Sequence, residues 1–344
     1  MDGMVLSHRK QRILTAVIET YIRTGEPVGS KLLAGALSNA VSSATIRNEM
    51  AELAALGLLT QPHTSAGRVP TAPAFRLYID RLMPRQPLAE ESRQDIDEML
   101  AGAGNDPERL VADAAGALAA LTGCAAVTTP PNEQDATVRR LELMHITPRM
   151  AALVLMTSSG LIRNRLCCFD MSVDPVKLQQ LAAGLQEHFA GVPLCHITLP
   201  VVQSLVLSFG ENGLYMLPLL TALLELAQEA AEAEVTLKGQ LNLLRHPDYN
   251  SERARLLLGF LSQQELLTTM LASCSGGLRV LLGNESVRPE LDGSSLIVTH
   301  YQGAGGASGT IGVIGPLRMD YAATIPRIEY LADSLSRSLS RLAE

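Results

Sequence analysis

Residues 28–76 constrain the fold most: two helix-length runs parted by four turn-prone residues, then a hairpin-length stretch with a polar tip. A helix from about Ser7 to Thr24 precedes them. In it Ile13, Leu14, Val17, Ile18, Tyr21 and Ile22 recur at helical spacing, while Arg9, Lys10, Arg12, Glu19 and Arg23 take the other face. Gly25 stops that helix, and Pro27 keeps it from resuming. A short helix from Ser30 to Leu37 follows, and the turn Ser38-Asn39-Ala40-Val41 favours a tight non-helical connection. Ser42 or Ser43 is then placed to cap a third helix. Three helices and a hairpin in this order are the layout of a winged helix-turn-helix.

The third helix is expected to bury Ile46, Met50, Leu53 and Leu56, which turns Thr45, Arg47, Asn48 and Glu52 outward. Arg can bond a guanine with two hydrogen bonds and Asn an adenine, while Ser and Thr reach phosphates or base edges. Ser42, Ser43, Thr45, Arg47 and Asn48 all fall at the start of this helix, the part that a recognition helix lays in the major groove. A solvated polar face has the same composition, so the helix alone does not decide between the two readings. The stretch Leu58 to Pro70 adds a second signal, since its tip carries His63, Thr64, Ser65 and Arg68 with almost no apolar cover. It reads as a wing, with Thr64 and Ser65 offered to phosphate oxygens and Arg68 to a phosphate or the minor groove. The plainer alternative is a hairpin that only closes the domain.

Charge is unevenly distributed along the chain. Residues 1–85 hold ten Lys or Arg against six acids, a net of +4, and the remainder carries −11, which together give the overall −7. Only the first part has the sign to hold phosphates.

Several strings in this chain resemble one family. They are Thr24-Gly25-Glu26-Pro27-Val28-Gly29-Ser30-Lys31, Ser42-Ser43-Ala44-Thr45-Ile46-Arg47-Asn48, Gln61-Pro62-His63-Thr64-Ser65-Ala66-Gly67-Arg68, and Arg76-Leu77-Tyr78-Ile79-Asp80. Near the other end stands Ile311-Gly312-Val313-Ile314-Gly315-Pro316-Leu317-Arg318-Met319-Asp320-Tyr321. The family is HrcA, the heat-inducible transcription repressors of bacteria. The chain departs from its pattern at Ala54, Ala74-Phe75, Asn284 and Leu317, none of them a DNA-facing candidate. The resemblance implies a homodimer that represses chaperonin and chaperone operons from an inverted-repeat operator in double-stranded DNA. It also implies chaperonin as a partner: free chaperonin keeps the repressor active, and heat stress diverts it to unfolded clients.

Length and composition fit a multidomain protein. A chain of 344 residues exceeds what one hydrophobic core usually holds, and two or three domains are expected. At 47% hydrophobic residues there is ample core material, but with no Trp and 3% aromatics it must be built mainly from Leu, Ala, Val and Ile. The N-terminus runs directly into an amphipathic helix with charges scattered through it, unlike a signal peptide. The longest apolar stretch, Leu214 to Ala231, contains Pro218, Glu225, Gln228 and Glu229, which favours a buried or partner-facing helix over a membrane span. Five cysteines without CxxC spacing argue against a disulfide framework or a structural zinc. A cytoplasmic location with no membrane partner is the expectation.

Beyond residue 85 a charged linker runs into a helix, and a second helix from about Pro107 to Thr122 follows. Strand-like runs come next at Val138 to Ile146, Met150 to Met156 and Leu161 to Phe169. After a helical middle, three more appear at Leu278 to Leu282, Ser295 to Tyr301 and Thr310 to Ile314, before a last helix from Tyr321 to Leu342. The order suggests an α+β multidomain chain in which one α+β domain is interrupted by an insertion. By the resemblance that domain, residues 86–174 and 251–344, is GAF-like, and the insertion, residues 175–250, serves dimerisation; residues 1–85 form the winged helix-turn-helix. The stripes Leu178, Leu181, Leu185 and Leu220, Leu224 are the candidate dimer surface. They could equally pack on the sheet.

The run Gly303-Ala304-Gly305-Gly306-Ala307-Ser308-Gly309 looks like a phosphate loop, but a strand follows it where a helix N-terminus would be needed. It reads as a strand connector. His145, His188, His196, His246 and His300 have no metal spacing, and no Ser, His and acid form a catalytic string. Hence no metal, no cofactor and no enzymatic activity are expected. The rival to a chaperonin-coupled repressor is a regulator whose GAF-like domain binds a small molecule; a weaker one is an enzyme with an appended DNA-binding domain.

Overall fold

The computed structural model describes residues 6–37, 42–63, 66–84, 86–102, 106–131, 136–158, 160–210, 213–231, 235–274, 276–285, 288–303 and 307–343. Helix α1 (His8–Thr24) is capped by the Ser7 hydroxyl, which accepts from the Lys10 N–H. It ends at Gly25, whose φ of 70° is left-handed, so that its N–H can return to the Tyr21 carbonyl. Helices α2 (Ser30–Ala36) and α3 (Ser43–Ala55) lie across α1, and Leu33, Ile46, Met50 and Leu53 close on Ile13, Leu14, Val17 and Ile18. Leu56, expected in that core, is 42% exposed, because α3 ends there and the chain turns away. The two short strands β1 (Leu59–Thr60) and β2 (Val69–Pro70) pair antiparallel, Leu59 opposite Pro70. Helix α4 (Ala72–Leu77) then runs on through a wider π turn at Tyr78–Leu82.

The rest of the chain contributes α5 (Glu90–Ala101), α6 (Pro107–Thr122), β3 (Ala125–Thr129), β4 (Val138–Thr147), β5 (Met150–Thr157), β6 (Ile162–Cys168) and α7 (Pro175–Phe189). Next come α8 (Leu199–Ser208), α9 (Gly213–Ala231), β7 (Thr236–Lys238), α10 (Ser251–Leu261) and α11 (Gln264–Ala272). The last elements are β8 (Arg279–Leu282), β9 (Ser294–Gln302), β10 (Ser308–Pro316) and α12 (Tyr321–Ala343). One antiparallel sheet has the order β7-β3-β10-β9-β8, and a separate one has the order β4-β5-β6. The first is covered on both faces. Ala126, Ile297, Ile311 and Val313 point into a cluster with α6 and α12, while Val127, Leu296, Val298 and Ile314 point into another with α10 and α11.

The strands therefore sort differently from the sequence expectation. β4, β5 and β6, assigned with the C-terminal strands to residues 86–174, form their own sheet. Its inner face of Val138, Leu141, Ala151, Leu153 and Leu155 shares one apolar cluster with α7 and α9. β7, assigned to the insertion 175–250, pairs instead with β3 in the five-stranded sheet. Grouped by shared core, residues 136–230 are one unit, and the expected cut at 174/175 would pass through it.

The N-terminal helices and the larger sheet are continuous. A single cluster runs from Leu6, Ile13 and Leu14 through Phe75 and Tyr78 to Tyr321, Ile328 and Leu335. In a chain with so few aromatics, Tyr21, Phe75 and Tyr321 meet at this seam in tilted contacts, with ring centroids 6.5 and 6.0 Å apart.

Candidate nucleic-acid interface

α3 is held from behind by a charged clamp. Glu49 lies on its inner side, only 5% of its side chain exposed, and accepts from the Arg9 Nε at 2.6 Å; the Lys10 ammonium stands 3.6 Å away. Lys10 also pairs with Glu52 at 2.8 Å. The hydrogen bond between them raises the Lys10 pKa and lowers that of Glu52, as expected of a pair that favours both charged forms. Two of the domain's basic residues are thereby tied to α3 and fix its height over α1. Sequence spacing did not reveal this, since Arg9 and Glu49 are forty residues apart.

The start of α3 is organised by hydroxyls. Ser42 caps the helix, accepting from the Thr45 N–H at 3.1 Å, and its Oγ lies 2.9 Å from the Thr45 hydroxyl. The Ser43 hydroxyl is 3.2 Å from that of Ser30, joining the first turns of α2 and α3. Ser42, Ser43 and Thr45 are therefore structural as well as candidate DNA contacts. Arg47 and Asn48 are exposed on the following turn, and among the described residues neither side chain has a hydrogen-bond or ion-pair partner.

The hairpin follows α3 in the chain. Arg68 and Val28 exchange two backbone hydrogen bonds of 2.9 Å, fastening the hairpin to the loop after α1. The contact is close enough to demand glycine at the preceding position: a Cβ on Gly67 would sit 2.5 Å from the Val28 carbonyl carbon and oxygen. His63 is exposed, while Arg68 is half-buried with no side-chain partner among the described residues. Thr64 and Ser65 lie outside the described residues. What can be placed is Arg47 and Asn48, exposed on the capped end of α3, and His63 and Arg68 on a hairpin fastened to the loop before α2.

The five apolar candidates have a different fate. Leu178, Leu181 and Leu185 of α7, and Leu220 and Leu224 of α9, are all buried against the inner face of the three-stranded sheet. The dimer-surface assignment of these residues is corrected: each stripe is filled by the chain's own sheet. The apolar side chains that do face outward include Met144 on β4 and Ile162 and Leu166 on β6.

None of the described residues forms a group of three or more His, Cys, Asp or Glu suited to a metal ion, and no described helix is long and apolar enough to cross a membrane. Cys124 and Cys167 are buried, which pushes each thiol up to about 11.

A helix-turn-helix with a paired wing, its outer face polar and its inner face clamped, defines a winged-helix DNA-binding protein. The family models agree over both parts of the chain. Residues 5–81 match the winged helix-turn-helix DNA-binding domain of HrcA repressors, and residues 108–325 match the HrcA C-terminal domain. Over 98% of its length the chain is 32% identical to the heat-inducible transcription repressor HrcA of Acetivibrio thermocellus, covering 98% of that protein. It is 34% identical to the HrcA of Laribacter hongkongensis, with 98% and 96% of the two chains covered, and 33% identical to that of Chromobacterium violaceum, with 98% and 99% covered. The chain belongs to the HrcA family of heat-inducible transcription repressors. A crystal structure of a protein described only as hypothetical has the same fold, with a TM-score of 0.69 at 22% identity over 98% of this chain and all of that one.

Proposed function

We propose that this repressor binds an inverted-repeat operator as a homodimer, with α3 of each copy in the major groove of one half-site and the wing on the flanking backbone. The observation that carries the reading is the pair Arg47 and Asn48: exposed, without a side-chain partner among the described residues, and set on a helix that Glu49 holds in place. Arg47→Ala or Asn48→Ala should weaken operator binding by roughly 1–3 kcal/mol each and relax base preference, with melting temperature unchanged. The operator for this test is recovered by selection from randomised duplexes. A folded variant with wild-type affinity removes α3 from the interface.

The homodimer is assigned to the unit 136–230, on its outward sheet face rather than its helical stripes. Met144 and Leu166 flank Ala152 across three strands, and both are 58% exposed, forming the kind of uncovered apolar surface that marks an interface. The five-stranded unit is the part we relate to a GAF-like domain. Chaperonin control rests on the family logic, and uncovered apolar side chains such as Leu207 and Leu214 are the chemistry that such a partner holds.

One feature favours a small-molecule input instead. A cleft of about 590 Å³ lies between the end of the DNA-binding domain, the linker, β8 and α12, and includes Arg76, Arg93, Arg279 and Tyr330 in its lining. A metabolite that gates the repressor should raise its melting temperature saturably and change operator affinity. Added chaperonin changing operator affinity without any such ligand supports the first reading.

A further inference from the structure

The winged-helix domain is joined to the body by two arginines that cross the seam in opposite directions. Arg318, in the loop before α12, donates from Nε to Asp248 at 2.7 Å and from Nη1 to the Ile22 carbonyl at 3.1 Å. Its side chain is only 15% exposed. The Ile22 carbonyl belongs to the last turn of α1, where free carbonyls and the helix dipole favour a cation. Gly25 makes room for it, since a Cβ there would lie 3.1 Å from the Arg318 guanidinium carbon.

Arg76 of α4 reaches the other way. Its Nε donates to Glu285 at 2.9 Å, and its Nη2 donates both to that carboxylate and to the Val280 carbonyl, the latter at 2.6 Å. Glu285 in turn accepts from the Leu282 N–H at 3.0 Å. Burial is the largest single influence on Glu285 and works to raise its pKa, but the hydrogen bonds from Arg76 and the Leu282 N–H together with the Arg76 charge outweigh it, and the net shift is downward. The pair thus holds both a carbonyl and an N–H of β8, an edge strand of the five-stranded sheet. The Phe75–Tyr321 ring contact joins the residue next to Arg76 to the one three positions after Arg318. Two charged forks and an apolar contact across the seam remove the freedom to pivot that a linker alone would leave.

We propose that Arg76 and Arg318 are positioning residues for operator recognition: they fix the angle of the winged helix on the body, so that paired bodies present their recognition helices at one separation. The spacer between half-sites is then read by residues that never touch DNA. This rests on the dimeric-operator reading above. A rigidly presented second domain binds its half-site intramolecularly, and that advantage falls when the domain can swing.

The test uses the full-length chain and the inverted repeat that the wild-type protein selects from randomised duplexes. Arg76→Gln and Arg318→Gln are made singly and together, and Arg318→Lys keeps the charge while losing the fork. Affinity is measured for the full site, a single half-site, and full sites with the spacer changed by a few base pairs. The double variant should bind the full site about tenfold more weakly, the half-site within about twofold of wild type, and altered spacers with less penalty than wild type shows. Amide exchange in the linker Gln86–Ala89 should quicken in step, and Arg318→Lys should fall between. Unchanged full-site affinity and spacer preference in the double variant overturn the proposal. So does an equal loss on full and half-sites, which marks a damaged reading surface. If the wild-type protein itself prefers neither full site nor spacer, both the dimeric reading and the clamp fail, and the wild-type data separate that case from failure of the clamp alone.

Discussion

The winged-helix domain and the unit 136–230 are both built from helices laid on a small antiparallel sheet, yet they expose opposite kinds of residue. On α3 the polar side chains Arg47 and Asn48 are outward and have no partner among the described residues, while the apolar ones fill the domain's centre. In the second unit the helices α7 and α9 turn every candidate apolar stripe inward, and apolar residues of the sheet, Met144, Ile162 and Leu166, are left in solvent, as are Leu207 and Leu214 on the helices. A helix stripe shows that a face is buried. It does not show against what, because the partner can be any surface of matching shape, in the same chain or another.

The sharpest way to break this comparison is to charge each face of the second unit in turn. Leu181→Asp with Leu185→Asp places two carboxylates in the apolar core, and the cost exceeds the ~2–5 kcal/mol of a Leu→Ala change because an unpaired charge is buried as well. The unit should unfold, seen as lost near-ultraviolet signal and rapid proteolysis within 136–230, rather than yield clean monomers. Met144→Asp with Leu166→Asp should leave stability within ~0.5 kcal/mol, since both side chains are exposed, and should dissociate the dimer in sedimentation. A folded monomer from the first pair, or an undisturbed dimer from the second, reverses the assignment of inner and outer faces.

The wing gives a middle-sized test on the other side of the comparison. Gly67→Ala sets a methyl group against the Val28 backbone, and neither partner is a flexible side chain that can step aside. The hairpin should lift from the domain at a cost of about 1–3 kcal/mol in stability. Chemical denaturation measures that cost, and operator affinity should fall with it. A variant as stable as wild type would mean that the Val28–Arg68 bridge is looser than its geometry implies.

The N-terminal helices were legible in sequence because their signals are local: Gly25 as a stop, Ser42 as a cap, and apolar residues at helical spacing. What escaped depended on distant partners. β3 starts just after the Gly123 that ends α6 and is buried throughout, so it shows no alternation, and β7 is only three residues long. β5 does alternate, but its pattern could not reveal that it joins β4 and β6 in a sheet apart from the C-terminal strands. The inward role of Glu49 and the reach of Arg76 to Glu285 are likewise invisible to spacing. Charged residues look like surface until the fold supplies their partners.

The smallest expected effect separates holding the wing from using it. Arg68 is fastened through its backbone, N–H and carbonyl both bonded to Val28, and these bonds do not depend on its side chain. Arg68→Ala should therefore leave the melting temperature nearly unchanged, whereas Gly67→Ala one residue earlier should not. If the guanidinium meets a phosphate, affinity for the selected operator and for random duplex should fall by similar factors. The slope of log affinity against log salt should flatten by about one unit, the signature of one fewer neutralised phosphate. Titrations at several salt concentrations on both duplexes give the answer. Loss confined to the selected operator, with the slope unchanged, would move Arg68 from the backbone to a base edge and would make the wing, like α3, a part of the protein that reads sequence.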